Sequence, residues 1–164
     1  MTCPSADFRA AMRGLASGVS LVTTRDLSGA SHGMAATAVM SVSAEPPRLL
    51  ICVNKAASMH DPLVASGYFA VNFLAAEQAA MVGLFSSAQK RHLRFADSRW
   101  TKLETGAPVL EGAVATLDCR VVQRIDAETH SMFLGDVVAT LSTADARAPL
   151  LHYHGGLGGF AAAA

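Results

Sequence analysis

The residues best suited to chemistry fall in two neighbouring runs. In "AATAVMSVS", alternation from about Ala36 puts Thr37, Val39, Ser41 and Ser43 on one face of a strand, and Ala36, Ala38, Met40 and Val42 on the other. Short hydroxyls over open backbone offer packing and hydrogen bonds to a flat heteroaromatic ring. The next strand ends in "CVNKAAS", which sets Cys52, Asn54, Lys55 and Ser58 where a strand runs into a short helix. A helix start with a serine and a lysine suits a phosphate. The same residues also fit a tightly curved barrel strand followed by a serine N-cap. The pattern alone leaves both readings open.

Other motifs carry less. His152 and His154 form an HxH pair that would share a strand face, but no third ligand sits at an obvious spacing, so a plain strand edge is the preferred reading. His32, His60 and His92 fall at loops or helix ends and read as surface residues. The glycines of "HGGLGGF" have no helix after them, which fails the context of a dinucleotide-binding turn. GxxxxGK[ST] and GxSxG are absent.

The elements that must position these residues read as follows. Ser5 to Ser17 is helical, with Phe8, Met12, Leu15 and Ala16 on one stripe. "GVSLVTT" alternates as a strand, and "DLSGASHG" is a turn region. Two strands flank "AEPP", where Pro46 pushes Glu45 to extended geometry. A short helix over Ser58 to Ser66, a strand "YFAVNFL" and a helix from Ala76 to Phe85 follow, the last burying Met81, Leu84 and Phe85. "SSAQKRHLRFADSRW" is a polar connector with a basic cluster. The clearest strand runs from Ala113 to Ile125, with "SMFLGDVVATL" as its antiparallel neighbour and "LLHYH" as a last short strand. About seven strands with few helices make the chain mainly β, a closed or split antiparallel barrel, since a parallel sheet would need more helices.

The 164 residues fit one domain spanning 1–164. Apolar content is 51% and charged content 16%, with a formal net charge of zero. So little charge suggests extra surface buried in a homo-oligomer and gives no footprint for nucleic acid or an acidic membrane. Cys3, Cys52 and Cys119 form no CxxC pair, which suits reduced thiols in the cytoplasm. The start carries no signal-peptide pattern, no apolar run is long enough to span a bilayer, and the closing "AAAA" reads as a frayed end.

Taken in order, "GMAATAVMSVSAEPP", "LLICVNKAASMHDPL", "YFAVNFLAAEQ", "FSS" with "RF", "GAPVLEGAVATLDCRVV", "THSMFLGDVV" and "YHGG" resemble the short-chain flavin reductase family, the reductase components of two-component monooxygenases. The resemblance runs from "FRAAMRGLASGVSLVTT" to the final glycines. It implies a flavin-binding split β-barrel, a homodimer, FMN or FAD, and NADH or NADPH as hydride donor, without a Rossmann fingerprint. It places Thr37, Ala38, Ser41, Val42 and Ser43 by the flavin ring or ribityl chain. Cys52, Asn54, Lys55 and Ser58 continue around it, toward ribityl and phosphate. Phe85, Ser86, Arg94 and Phe95 match the segment that closes over the cofactor tail.

His130, in "ETHSMF", matches the family's histidine by the nicotinamide, an orienting hydrogen-bond donor. Tyr153 and Gly155 match its closing "Y..G" and flank the nicotinamide side, although Tyr153 also reads as a barrel-edge aromatic. Such a site must hold the nicotinamide C4 within roughly 3–3.5 Å of the flavin N5. The reduced flavin then goes to a separate monooxygenase. Two other readings stand beside this one: a flavoprotein reducing an acceptor such as a corrinoid, and a flavin carrier without turnover.

Overall fold

A computed structural model describes residues 2–97, 99–143 and 147–161. The expected fraying covers the closing "AAAA", residues 161–164, of which 162–164 lie outside the described residues.

Seven antiparallel strands make the main sheet: β2 (Ser20–Arg25), β3 (Ser31–Ala36), β4 (Val39–Ala44), β5 (Pro47–Asn54), β6 (Tyr68–Phe73), β9 (Ala115–Ala127) and β10 (His130–Ser142). Their order is β3-β2-β6-β9-β10-β5-β4. The two edges, β3 and β4, are joined through Thr37 and Ala38, where the Cys52 amide donates to the Ala38 carbonyl at 3.1 Å. The sheet wraps on itself across that corner as a split barrel. Val22, Ile51, Val53, Phe69, Val71 and Phe133 fill its interior. At Gly135 a Cβ would stand 2.8 Å from the Phe69 ring, so only hydrogen fits there.

Three smaller units cover the barrel: β1 (Ser17–Gly18) with β11 (Leu150–Tyr153) and β12 (Gly156–Gly159), the pair β7 (Trp100–Lys102) and β8 (Pro108–Leu110), and the helices α1 (Ser5–Met12), α2 (His60–Ser66) and α3 (Ala80–Ser86). α3 lies over β2 and β3, burying Met81 and Phe85 against Val19, Leu21 and Leu150. Its close approach needs Gly33, where a Cβ would fall 2.8 Å from the Phe85 ring.

Several expectations change. The run His32–Asn54 holds parts of three strands, because Ser31–Ala36 pairs with β2 instead of belonging to a turn. The stretch from Ala36 is not one strand: it bends at Thr37 and carries a bulge between Ser41 and Ser43. α1 stops at Met12, and its stripe buries nothing within the chain, with Phe8 58% and Leu15 56% exposed. The alternation of β9 is real, yet Thr116 and Asp118 on its other face are also buried. The segment before β8 covers them, and Asp118 accepts from the Thr105 amide at 2.7 Å and hydroxyl at 2.5 Å.

His60 is buried, not a surface residue: its Nε2 and the Ser131 hydroxyl share a hydrogen bond at 3.0 Å. Asp61 stands 3.0 Å from its Nδ1, giving a serine-histidine-aspartate line. Ser131 is only 2% exposed, which denies it the access a nucleophile needs. The contact instead ties the start of α2 to β10. Cys119 is likewise inert, its thiol pushed up to about 12 by burial and then by Asp118 and Asp136.

Candidate functional site

Three local devices open a cleft beside β3. First, the Asn54 side chain accepts from the Ala56 amide at 2.8 Å, turning the chain out of β5 into the loop Ala56–Met59. The helix starts only at His60, so Ser58 is a loop residue and not an N-cap. Second, α3 packs on Gly33 and presents Phe85 and Ser86. Third, Arg94 folds back: its guanidinium donates to the carbonyls of Gly33 at 2.8 Å, Ser87 at 3.0 Å and Leu84 at 3.4 Å. Burial and the like charge of Arg91 draw its pKa below the usual arginine value.

The resulting cleft of about 290 Å³ runs between β3, the Ala56–Met59 loop and the end of α3, with Ser58, Arg91 and Arg94 among its walls. A second cleft of about 230 Å³ shares Ala35 and Ser86 with it and extends to Thr37 and His152. Together they fall in the size range of small-molecule sites. One end carries positive charge: among the described residues Arg91 has no ion-pair partner, and no carboxylate lines this cleft. The middle is small, built on Gly33, Ala35, Ala56 and Ala57.

The structure distributes the sequence-predicted residues over several surfaces. Thr37, Ser58, Phe85, Ser86 and Arg94 line the two clefts. Ser41 and Ser43 turn to a groove at the barrel mouth, facing Phe73, Leu117 and Val137. Thr37 and Ser41 meet again in a groove beside Ser17 and Ser20, so Thr37 is where these surfaces join. Ala38 forms the corner. Val42 sits at the bulge and is 47% exposed.

Cys52, Asn54 and His130 belong to the outer face of β5 and β10, where His130 is the cross-strand neighbour of Asn54 and Met132 that of Cys52. His130 Nδ1 lies 2.9 Å from the Thr129 hydroxyl. Lys55 pairs with Asp126 at 2.5 Å, which lowers the Asp126 pKa. Phe95 packs behind the cleft, edge-on to Phe85 at 5.4 Å.

The C-terminal hairpin revises the reading of "LLHYH". β11 ends at Tyr153, and His154 takes a left-handed conformation (φ 48°) beside Gly155 (φ 80°), a two-residue hairpin turn. His152 and His154 therefore do not ride one strand face. Tyr153 and Gly156 line a separate groove, while His152 lines the cleft. Sequence reasoning gave neither Arg91 nor His152 a part in the cleft: Arg91 stood in the basic connector, and His152 was weighed only in the HxH pair and set aside as a strand edge. The basic cluster around Arg91 was a signal for the first. For the second, the local HxH motif pointed to a metal or a strand edge and not to this cleft, because its placement depends on pairing between Ser17 and His152.

Residues 12–161 match the flavin reductase like domain. The chain is 44% identical over 136 residues to an FMN reductase (NADH) RutF of Variovorax paradoxus, covering 83% of this chain and 75% of that protein. It superposes with a TM-score of 0.88 on the NADH:FAD oxidoreductase SgcE6 of Streptomyces globisporus, a structure in complex with NAD and FAD fragments, at 33% identity and 98% and 96% coverage of the two chains. BorF, the flavin reductase component of a bacterial two-component tryptophan halogenase, matches with a TM-score of 0.87, 33% identity and 95% and 98% coverage.

Proposed function

The chain belongs to the flavin reductase-like family, and from that premise we propose how its own residues serve the reaction. It is an NADH-dependent flavin reductase, transferring a hydride from the nicotinamide to a flavin. The chemistry resides in the two nucleotides. The residues fit a flavin: the cleft beside β3 is narrow and small-walled in its middle, cationic at Arg91 and hydroxyl-bearing at Ser58, Ser86 and Thr37. That combination carries the reading. The protein's part is to bind and align.

In this reading Ser58 and Arg91 hold the phosphate, while Ser86 and the backbone of Ala35 border the ribityl chain. Thr37 and the Ala38 corner approach the ring. Phe85 shapes the wall, and Arg94 with Phe95 holds that wall in place. Ser41, Val42, Ser43, Cys52, Asn54, Lys55 and Tyr153 lie outside the clefts of one chain. Their proposed part is to frame the ring and its approach from the barrel mouth and the β5–β10 face.

His130 orients the nicotinamide from that same face. His130→Ala should raise the KM for NADH more than it lowers kcat; an unchanged KM with turnover abolished would contradict the role. FMN is the proposed flavin, on the named activity of the curated relative.

A homodimer is proposed on the apolar surface left bare. α1 buries none of its residues, and Met40, Val42, Val122, Ile125, Val138 and Leu141 are 37–57% exposed. A monomer mass in sedimentation at micromolar concentration would overturn this. The single domain, a cytoplasmic setting supported by three free cysteines, and a separate monooxygenase that takes the reduced flavin complete the reading.

The deciding experiment follows NADH oxidation with and without added FMN, FAD and riboflavin, and with NADPH in parallel. Multiple turnovers that depend on added FMN are expected. Flavin binding with no turnover would favour the carrier.

A further inference from the structure

We propose that His152 is a cofactor-binding residue, presenting its imidazole to the carbonyl-bearing edge of a bound heteroaromatic ring. The inference rests on the reductase reading of the same cleft. The ring edge belongs either to the flavin pyrimidine or to the nicotinamide carboxamide, which share that chemistry.

β11 is the middle strand of its sheet, and His152 pairs with Ser17 on one side and Leu157 on the other. A central strand fixes where its side chains point. His152 points into the cleft of about 230 Å³, whose apolar wall is Val19, Val82 and Leu157 and whose polar side chains are Thr37, Ser86 and His152.

His152 is half-buried, and among the described residues neither ring nitrogen has a hydrogen-bond or ion-pair partner. The other half-buried or buried imidazoles are engaged: His32 with Asp26 at 2.8 Å, His60 with Ser131 at 3.0 Å and His130 with Thr129 at 2.9 Å. A neutral imidazole offers one donor and one acceptor. With the hydroxyls of Thr37 and Ser86 it makes one polar edge on an otherwise apolar slot. That suits a flat ring whose edge alternates carbonyl oxygens and ring or amide nitrogens. A purely aliphatic ligand would leave these groups unmet.

The shared walls at Ala35 and Ser86 link this slot to the Ser58–Arg91 end. One nucleotide can therefore be held at both: phosphate by the cation, ring by the imidazole.

The test compares wild type with His152→Phe, which keeps ring volume and removes both nitrogens, and His152→Gln, which restores a donor and an acceptor. Dissociation constants for FMN and riboflavin are read from flavin fluorescence, and the KM for NADH from steady state. A contact to the flavin weakens FMN and riboflavin alike by about five- to tenfold in His152→Phe, with the NADH KM unchanged. A contact to nicotinamide raises the NADH KM by a similar factor and leaves flavin affinity alone. In either case His152→Gln recovers most of the loss.

Both constants within twofold of wild type in a folded His152→Phe would overturn the proposal. Wild-type protein supplies an independent reading: the His152 ring resonances should shift on adding FMN or NAD, and resonances unmoved by either would overturn it too. If the wild type itself bound no flavin, the reductase reading would be what failed.

Discussion

Arg94→Met should lose about 3 kcal/mol of stability and bind FMN and riboflavin equally poorly. Arg94 is only 6% exposed, and its donors are spent on three carbonyls, those of Gly33, Leu84 and Ser87. Hydrogen bonds from a charged donor contribute about 1.5–3 kcal/mol each, and the longest of the three contributes least. Methionine fills much of the volume and returns none of the bonds. For a chain of this size the melting temperature should fall by roughly 6–12 °C.

The functional loss follows from what those carbonyls hold. Gly33 is on β3, and Leu84 and Ser87 lie in and just beyond α3. Without the clamp, the wall bearing Phe85 and Ser86 moves off the cleft, and both flavins lose it whether or not they carry a phosphate.

Arg91→Ala should behave in the opposite way. Arg91 is exposed and unpaired among the described residues, so stability should hold while FMN weakens about three- to tenfold and riboflavin stays put. If Arg94→Met instead left melting unchanged and weakened FMN alone, Arg94 would be a phosphate ligand and the clamp would be wrong.

That contrast shows what the sequence could and could not convey. "FSS" followed by "RF" is what led the family resemblance to set Arg94 and Phe95 in the segment over the cofactor tail, and the structure brings both to the wall of the cleft or behind it. Their roles were not legible, since a guanidinium turned onto backbone carbonyls looks the same in sequence as one turned onto a phosphate. The long strands β5, β6, β9 and β10 were legible because apolar alternation reports a face packed on a core. β3 was not: Ser31 and His32 at its start read as turn residues, and its pairing with β2 depends on the Asp26–Ala30 turn closing.

Alternation alone put Thr37, Val39, Ser41 and Ser43 on one strand face, but the bend at Thr37 and the bulge between Ser41 and Ser43 break that face and spread the residues over successive grooves. What local pattern could not say is that Thr37 stands at the barrel's split. There the cleft lined by His152 and the groove beside Ser17 and Ser20 meet. Nor could it place His152, whose direction is set by a partner 135 residues earlier in the chain, Ser17. Long-range register decides such cases, and one residue of slip would have put Tyr153 in the cleft instead.

Asn72→Leu should cost about 3–5 kcal/mol without touching the cleft. Asn72 is fully buried near the end of β6, in a run that is otherwise apolar. Its amide nitrogen donates to the Leu21 carbonyl at 3.1 Å, and its oxygen accepts from the Leu110 amide at 2.8 Å and the Thr116 hydroxyl at 3.0 Å. These bonds join β2, β6, β8 and β9 at one point. Leucine matches the volume but strands the Leu110 amide, the Leu21 carbonyl and the Thr116 hydroxyl, each at about 1–3 kcal/mol if it finds no new partner.

A drop in the urea midpoint at constant slope would report that loss. FMN affinity measured well below the transition should be unchanged, because no Asn72 contact reaches the cleft. Asn72→Asp separates the two acceptor bonds from the donor bond. A carboxylate could still accept from Leu110 and Thr116, but it would face the Leu21 carbonyl with negative charge in a dry site. Burial raises the folded pKa of such an acid above its unfolded value. The folded state then binds the proton more tightly, so the variant should be most stable near pH 4–5 and lose stability as pH rises toward 8. If instead Asn72→Asp were as stable as wild type at pH 8, the amide's donation to Leu21 would not be what holds β2 to β6.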